Sequence, residues 1–464
     1  MSGKSKIALI VVLALAATLA EAKKEDSGKK HGRKTRTETV EKKTKRSESD
    51  DKKTKAESAE EAAGSDTAES GVTEGSGISA AAANRAVGAG LFSDRQTLWE
   101  TPVAEVVKRM KLALPKGSEK TPTVSVFTKR KSSFFGCGVE EFRFFCREGK
   151  ITRIDVMLLN KGDSVKGKVP SSRRFEFSKR LQREERVLSR NLDTAFGSAN
   201  SIVFGIGSQS RRMPHWFCRE AAIAVEMVDR EYLMLHVFPR EQAGRPNFRK
   251  DTLRVDRAKL DLTKNIRREK NGDVFISGVP MVDQGSKGYC VPATLERCFR
   301  YYGITEFDMH RIADAGKTAA GGGTALSNAL AGLAPMLHDC RMRRVSLGRL
   351  RLRGVAGAID AGTPIIWALY SSPEYLQRLQ EHNAARAKIE SPAAWKADLK
   401  KMRRLPSSKK GAHVCLIIGY NLTTGEIAVS NSWGAAPGAD IAWVRFADAA
   451  AADADEDLYV LQPR

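Results

Sequence analysis

After its N-terminal segment the sequence has no apolar run of about 18 residues or more, which excludes a protein with several membrane-spanning helices. Acidic residues are scarce: 55 Asp and Glu against 78 Lys and Arg give a formal net charge of +23. Such an excess is typical of proteins that bind nucleic acid, an anionic surface or an acidic partner. Aromatic residues make up only 7%, but 41% hydrophobic residues suffice for ordinary cores, so a wholly disordered chain is excluded. The seven Cys leave at least one free thiol if the other six pair.

The length of 464 residues predicts two folded domains with additional segments. Lys4 and Lys6 precede a short apolar core, and Ala20-Glu21-Ala22 has the form of a cleavage site. We therefore predict a signal peptide over residues 1–22, with an uncleaved membrane anchor as the alternative. The mature protein is then exported to the periplasm, the cell surface or the medium, and it has no stable membrane span.

Residues 23–87 are predicted to form a charged, disordered tether because their low-complexity composition offers little apolar surface to bury. The basic excess lies elsewhere: residues 79–280 hold 39 Lys and Arg against 23 Asp and Glu. Helix-like and strand-like runs predict a basic α+β accessory domain over residues 88–248, followed by a linker over residues 249–269. We find no paired carboxylates, metal-ligand cluster or phosphate loop in this domain. A Cys137–Cys146 disulfide is possible there in an exported protein.

The sequence QGSKGYC, from Gln284 to Cys290, precedes a helical pattern that ends at Gly303. Cys290 is then at a helix N-terminus, where the helix dipole and free N–H groups favour a thiolate and lower the pKa of the thiol. Six residues earlier, the amide of Gln284 can donate a hydrogen bond to an oxyanion that forms beside the thiolate.

A thiolate that transfers acyl groups also needs a base and a residue that orients the base. His413 begins a strand-like run, and Asn431 follows the next strand, so a hairpin can bring the two side chains together. The amide oxygen of Asn431 can then accept from one ring nitrogen of His413 and fix the tautomer. Trp433 can shield this contact from water.

Together, the QGSKGYC loop, the His strand AHVCLIIGYN and the NSWG motif resemble the papain-like cysteine peptidases, especially bacterial relatives that resemble leader-processing peptidases. The resemblance covers residues 270–464 and implies an α+β papain-like peptidase domain after a separate, smaller α+β domain. It implies Cys290 as nucleophile, His413 as base, Asn431 as orienting residue and Gln284 as oxyanion donor, with no metal or organic cofactor. Lys287 stands where many papains have a Cys, so their loop disulfide is absent here.

The sequence thus predicts an exported cysteine peptidase of bacterial origin that acts on peptides or proteins. One alternative is an amidase or transferase of the same fold that acts on cell-wall peptides, and another is an inactive papain-fold binding module. The basic domain is expected to recognise an anionic polymer or acidic protein, or to regulate the cleft. No specific binding of nucleic acid is predicted.

Overall fold

The computed structural model describes residues 77–115, 117–118, 121–165, 171–205, 207–243, 260–319, 323–389, 391–434 and 441–464. The predicted signal peptide, the first part of the tether and residues 249–259 of the predicted linker lie outside the described residues. Both predicted folded domains belong to one compact unit, Thr73–Arg464. None of the described helices is long and apolar enough to span a membrane.

The accessory domain packs helices against one antiparallel sheet. Its helices are α1 (Ala80–Val87), α2 (Val103–Arg109), α3 (Lys161–Ser164) and α4 (Ser171–Phe196). Its strands are β1 (Thr123–Phe134), β2 (Cys137–Arg147), β3 (Lys150–Asn160), β4 (Asn200–Phe204), β5 (Arg211–Cys218), β6 (Ala221–Val228) and β7 (Tyr232–Pro239). The strand order is β1-β2-β3-β7-β6-β5-β4. Short 3-10 turns at Gly207–Gln209 and Arg240–Gln242 complete the domain.

Ordered structure begins earlier than the sequence predicts, because α1 lies within the segment assigned to the tether. Ala83 and Val87 are fully buried in the accessory-domain core. The Oγ of Ser79 caps α1 by accepting from the Ala82 N–H at 3.2 Å. Alanine has the highest helix propensity, and one face of this alanine-rich stretch is apolar. These two local preferences outweigh the low-complexity composition that indicated disorder.

The C-terminal domain combines helices with a second, eight-stranded antiparallel sheet, which confirms the predicted α+β class. Its helices are α5 (Cys290–Tyr301), α6 (Met309–Ala315), α7 (Leu326–Gly332), α8 (Ala334–Asp339), α9 (Leu352–Asp360), α10 (Pro373–Arg386), α11 (Pro392–Lys401) and α12 (Phe446–Ala452). Its strands are β8 (Ile266–Arg268), β9 (Val274–Ile276), β10 (Met342–Gly348), β11 (Ile365–Tyr370), β12 (Ala412–Asn421), β13 (Glu426–Ser430), β14 (Ile441–Arg445) and β15 (Leu458–Pro463). The main strand order is β10-β15-β11-β12-β13-β14, and β9 joins β8 to β12.

The segment predicted as a linker is in part structured. A 3-10 turn at Leu262–Asn265 leads into β8, which pairs with β9 from Ile266↔Ile276 to Arg268↔Val274. The strand β9 in turn pairs with β12 at Gly419↔Phe275. Residues 260–269 therefore belong structurally to the C-terminal sheet, because backbone pairing extends across the predicted boundary at residue 270.

Candidate active site

The predicted nucleophile Cys290 is the first residue of α5, as the sequence indicates. The helix is buried almost all round, from Val291 to Tyr301. It is fastened to the sheet by the hydroxyl of Thr294, which donates to the Val414 carbonyl at 3.1 Å. Cys290 is therefore fixed beside the strand that carries His413.

The pKa of the Cys290 thiol differs from the sequence prediction. Burial raises this pKa above its usual value of 9.0, and backbone N–H groups of Val414, Val291 and Cys290 offset the effect only in part. The expectation of a lowered pKa at the helix start is therefore wrong for this structure. The physical reason is that removal of a charged thiolate from water outweighs the favourable hydrogen bonds at the helix N-terminus.

The predicted base His413 lies on β12, opposite Leu369 of β11. Its Nε2 is 2.9 Å from the Oδ1 of Asn431. The Trp433 ring stacks on the imidazole at 4.9 Å between centroids, with 28° between the planes. Burial lowers the pKa of His413 to about 4, against the raising effect of the Asn431 hydrogen bond. His413 is therefore a neutral base at ordinary pH, with Nδ1 as the nitrogen not bonded to Asn431.

Asn431 reaches His413 because β12 and β13 form a tight hairpin. Their register runs from Asn421↔Glu426 at the turn to Leu416↔Ser430 at the open end. Asn431 is the next residue after β13, and it lies 18 positions after His413 in the sequence. The sequence prediction of a hairpin between these two motifs agrees with this register.

The predicted oxyanion donor Gln284 uses both ends of its amide in contacts within the site. Its Nε2 donates to the Lys287 carbonyl at 3.1 Å, and its Oε1 accepts from the Ser432 hydroxyl at 2.8 Å. The Gln284 backbone N–H also donates to the Ser432 carbonyl at 2.9 Å. An amide nitrogen carries two hydrogens. The contact with the Lys287 carbonyl uses one of them, so the other can be donated to another acceptor. These bonds join the QGSKGYC loop directly to the NSWG motif.

Sequence reasoning missed Arg297, which fixes the position of Asn431. This fully buried guanidinium donates to the Ser430 carbonyl at 3.1 Å, the Asn431 carbonyl at 2.8 Å and the Pro280 carbonyl at 2.9 Å. Arg297 follows Cys290 at i+7 spacing, on the same face of α5. The same helix also carries Glu296 and Arg300, and charged residues among core-like helical positions are the sequence feature that indicates such a role.

A cavity of about 390 Å³ adjoins the Gln284 loop at Asp283. Accessory-domain residues make up the rest of the cavity wall, including Phe127 and Lys131.

Among the described residues, no group of three or more His, Cys, Asp or Glu side chains could hold a metal ion. All seven cysteines are free thiols, so Cys137 and Cys146 are not bridged.

The C-terminal domain has the papain-like cysteine peptidase fold that its motifs indicate. Within that class, residues 276–452 match the model of the Peptidase_C39 like family. The match includes all four predicted site residues and begins after the accessory domain.

Two solved structures are similar to this chain at low sequence identity. One is xylellain, a cysteine protease from Xylella fastidiosa, with 13% identity, a TM-score of 0.29, and coverage of 45% of this chain and 90% of the other. The second is a putative C39-like peptidase from Bacillus anthracis, with 14% identity, a TM-score of 0.25, and coverage of 41% of this chain and 98% of the other. A comparison with the curated proteins gives no match.

Proposed function

We propose that the C-terminal domain is an active cysteine peptidase that hydrolyses peptide bonds through an acyl-enzyme. Cys290 is the nucleophile, His413 the base, Asn431 its orienting residue and Gln284 a donor to the oxyanion. The observation that carries the proposal is the 2.9 Å contact between His413 Nε2 and Asn431 Oδ1, beside a helix that begins at Cys290. A buried imidazole held in one tautomer, on a strand bonded to the helix that begins at a cysteine, is an arrangement suited to nucleophilic catalysis.

The reaction begins with neutral partners, because burial raises the pKa of Cys290 and lowers that of His413. His413 therefore takes the thiol proton as Cys290 Sγ bonds to the peptide carbonyl carbon. His413 then gives this proton to the leaving amine as the C–N bond breaks, which leaves a thioester. Water attacks the thioester carbon while His413 takes a proton from the water. The C–S bond then breaks, His413 returns the proton to Cys290 Sγ, and the acyl group leaves as a carboxylic acid.

The direct test is Cys290→Ala in the full chain, assayed with a diverse peptide library by mass spectrometry. We expect complete loss of turnover with an unchanged melting temperature. Cys298→Ala and Cys415→Ala are the matched controls, because both thiols are buried in the same domain. If Cys290→Ala cleaves peptides at the wild-type rate, the proposal is wrong.

Muropeptide substrates and a thiol-reactive epoxide separate the alternatives. An amidase or transferase on cell-wall peptides leaves the protein-derived library intact but releases or exchanges amines on muropeptide substrates in a Cys290-dependent way. An inactive binding module acts on neither set of substrates and shows no preferential labelling of Cys290 by a peptidyl epoxide. Labelling therefore distinguishes the module from both enzymes.

We propose further that the mature protein works outside the cytoplasm, on the basis of the N-terminal sequence. Mass spectrometry of the protein from its native cells is expected to find Lys23 as the first residue. An intact Met1 in the mature protein would contradict cleavage after Ala22.

The accessory domain is proposed to bind an anionic partner along α4. Apolar side chains of α4 face the domain core, and basic side chains on the opposite face are exposed at helical spacing. These exposed residues are Lys179, Arg183, Arg186 and Arg190. A row of positive charges on one helix face attracts an acidic polymer. Salt weakens such binding because dissolved ions screen these charges over a Debye length of ~10 Å at 0.1 M.

Polyglutamate is a suitable probe for this surface. We expect Lys179→Gln/Arg183→Gln/Arg186→Gln to elute from a polyglutamate column at lower salt than the wild type. The control is Arg341→Gln/Arg343→Gln/Arg349→Gln, which removes the same charge from exposed positions of the C-terminal domain. Equal elution of the two variants would exclude α4 as a specific surface.

A further inference from the structure

We infer that Lys287 and Asp163 are positioning residues, which together let the accessory domain hold the Gln284 loop in place. The inference rests on the proposed peptidase function, since it assigns the accessory domain a part in that reaction. It also makes hydrolysis depend on a domain that contributes none of the four predicted site residues.

Lys287 lies in the middle of the QGSKGYC loop, and its side chain points into the accessory domain. The side chain is 1% exposed, and its Nζ is 3.0 Å from Asp163 Oδ2 and 3.9 Å from Glu141 Oε2. The ammonium also lies 5.1 Å from the centroid of the Phe127 ring. A buried ammonium is costly unless it is paired, so these accessory-domain groups determine where Lys287 can be.

Asp163 is itself held rigidly. Its backbone N–H donates to Asn160 Oδ1 at 2.9 Å, and Asn160 Nδ2 donates to Asp163 Oδ2 at 2.7 Å. The neighbouring Lys161 pairs with Glu231 at 2.5 Å, which fastens α3 to the turn before β7. Burial raises the pKa of Asp163, but the Lys287 ammonium and the Asn160 hydrogen bond outweigh burial and lower it overall. Asp163 is therefore a fixed carboxylate at neutral pH.

Uncharged groups of the two domains are also in contact beside this ion pair. Gly162 of α3 lies so close to the loop that an added Cβ would be 2.8 Å from Tyr289 Cε1 and 3.0 Å from Lys287 Cβ. Glycine is thus required there for the close approach of α3 and the loop, although its φ is not in the left-handed region.

The pair acts on the site through the Lys287 carbonyl. This oxygen accepts from Gln284 Nε2 at 3.1 Å and from the Tyr289 backbone N–H at 2.8 Å. Displacement of Lys287 therefore moves both the predicted oxyanion donor and the residue before Cys290. The ion pair therefore constrains this loop, which has no disulfide.

Two substitutions test the inference in the full chain. Lys287→Met removes the charge, and Gly162→Ala pushes the loop away without any change in charge. Both are expected to lower kcat by about 10–100-fold, with KM changed by less than about threefold, because misplacement by about 1 Å can cost 10²-fold. The matched control for the second is Gly357→Ala, a helical glycine with open space around it, which is expected to keep wild-type kcat.

A further variant separates positioning from plain stability. Lys287→Met leaves Asp163 buried beside an apolar chain, whereas Lys287→Met/Asp163→Asn removes both charges. The double variant is expected to recover melting temperature relative to Lys287→Met but not kcat, since no ionic tether is restored. If kcat recovers together with melting temperature, the pair has only a structural role and the inference is overturned.

Hydrogen exchange of residues 283–290 distinguishes failure of this inference from failure of the proposed function. Faster exchange of this segment in Lys287→Met and Gly162→Ala than in Gly357→Ala supports the tether even if the wild type cleaves no peptide. Exchange and kcat equal to the wild type in both loop variants would overturn the inference. Absence of both turnover and selective Cys290 labelling in the wild type contradicts only the proposed function.

Discussion

The protonation states of Cys290 and His413 determine how the proposed reaction starts. Burial raises the pKa of the thiol and lowers the pKa of the imidazole, so both groups are neutral between about pH 5 and 8. A neutral pair differs from a resting thiolate–imidazolium pair in its pH dependence, which makes the difference measurable.

Alkylation of Cys290 by iodoacetamide is expected to increase with pH up to and beyond pH 9, because the thiolate fraction increases only there. The value of kcat/KM is expected to fall only as the pH drops towards about 4, where His413 becomes protonated and can no longer accept a proton. Measurement of both profiles tests this prediction. A plateau of rapid alkylation from pH 5 to 8 would indicate an ion pair instead.

Arg297 is the buried residue on which the position of Asn431 depends. Arg297→Lys keeps the charge but cannot reproduce the donors that reach the Ser430, Asn431 and Pro280 carbonyls. We expect loss of at least about 2 kcal/mol in the free energy of unfolding in urea, since hydrogen bonds to a charged group contribute about 1.5–3 kcal/mol each. We also expect lower kcat. Wild-type stability in this variant would show that the three carbonyls find other donors.

The motifs were sufficient to predict Cys290, His413, Asn431 and Gln284 as candidate residues, because their order and spacing indicate one chemistry. From the sequence alone, Lys287 indicates only that the loop disulfide is absent. Its role depends on Asp163, which lies 124 positions earlier in the sequence, so no local pattern connects the two residues. The raised pKa of Cys290 was also beyond the sequence, since burial depends on how the domains pack.

At the scale of elements, long periodic segments were predicted well and short ones were not. The helix-like and strand-like runs predicted within residues 88–248 include the long basic helix α4 and the strands β2 and β3. In contrast, β4 and β5 carry polar residues and a proline, so the pairing of β5 with β6 and of β4 with β5, rather than local pattern, determines them. The α1 helix was missed because its composition resembles that of the tether.

The β12–β13 hairpin depends on one close approach of backbone. Gly419 lies where the register between β12 and β13 shifts, and an added Cβ would be 2.7 Å from both Phe275 Cβ and the Val274 carbonyl oxygen. The strand β9 covers this position, so a side chain there must push β9 away from β12.

Gly419→Ala is therefore expected to lower the melting temperature by several degrees and to lower kcat, because the hairpin carries both His413 and Asn431. Calorimetry and peptide turnover measure the two effects. Gly354→Ala is the control: its added Cβ would have its nearest neighbour at 4.0 Å, and we expect no loss. Equal behaviour of the two variants would contradict the close packing of β9 on β12.

At the scale of the whole molecule, buried charges join the two domains. Glu296 of α5 accepts from Arg143 at 3.2 Å, and Arg311 of α6 donates to both carboxylate oxygens of Glu226 at 3.1 and 3.0 Å. All four side chains are at most 5% exposed. Because removal of one partner from a buried pair costs about 3–5 kcal/mol, neither domain is expected to tolerate loss of the other.

A chain that begins at Leu260 is therefore expected to be unfolded or aggregated, since several broken pairs approach the whole stability of a domain, about 5–15 kcal/mol. A chain that begins at Gly77 is the control and is expected to keep the wild-type melting temperature. Circular dichroism and gel filtration compare the two. A folded, fully active chain from Leu260 would contradict both the interface energetics and the positioning role of Lys287.

The contact between Lys287 and Asp163 also has a consequence for how related chains evolve. The two residues belong to different domains, so a mutation at one changes the selection that acts on the other. In related chains with the same two domains, loss of the lysine should be accompanied by a change at the aspartate. A gene that lost the accessory domain by recombination would have to replace Glu296 and Arg311, whose buried partners are lost, and gain another tether for the loop, such as a cysteine at the lysine position.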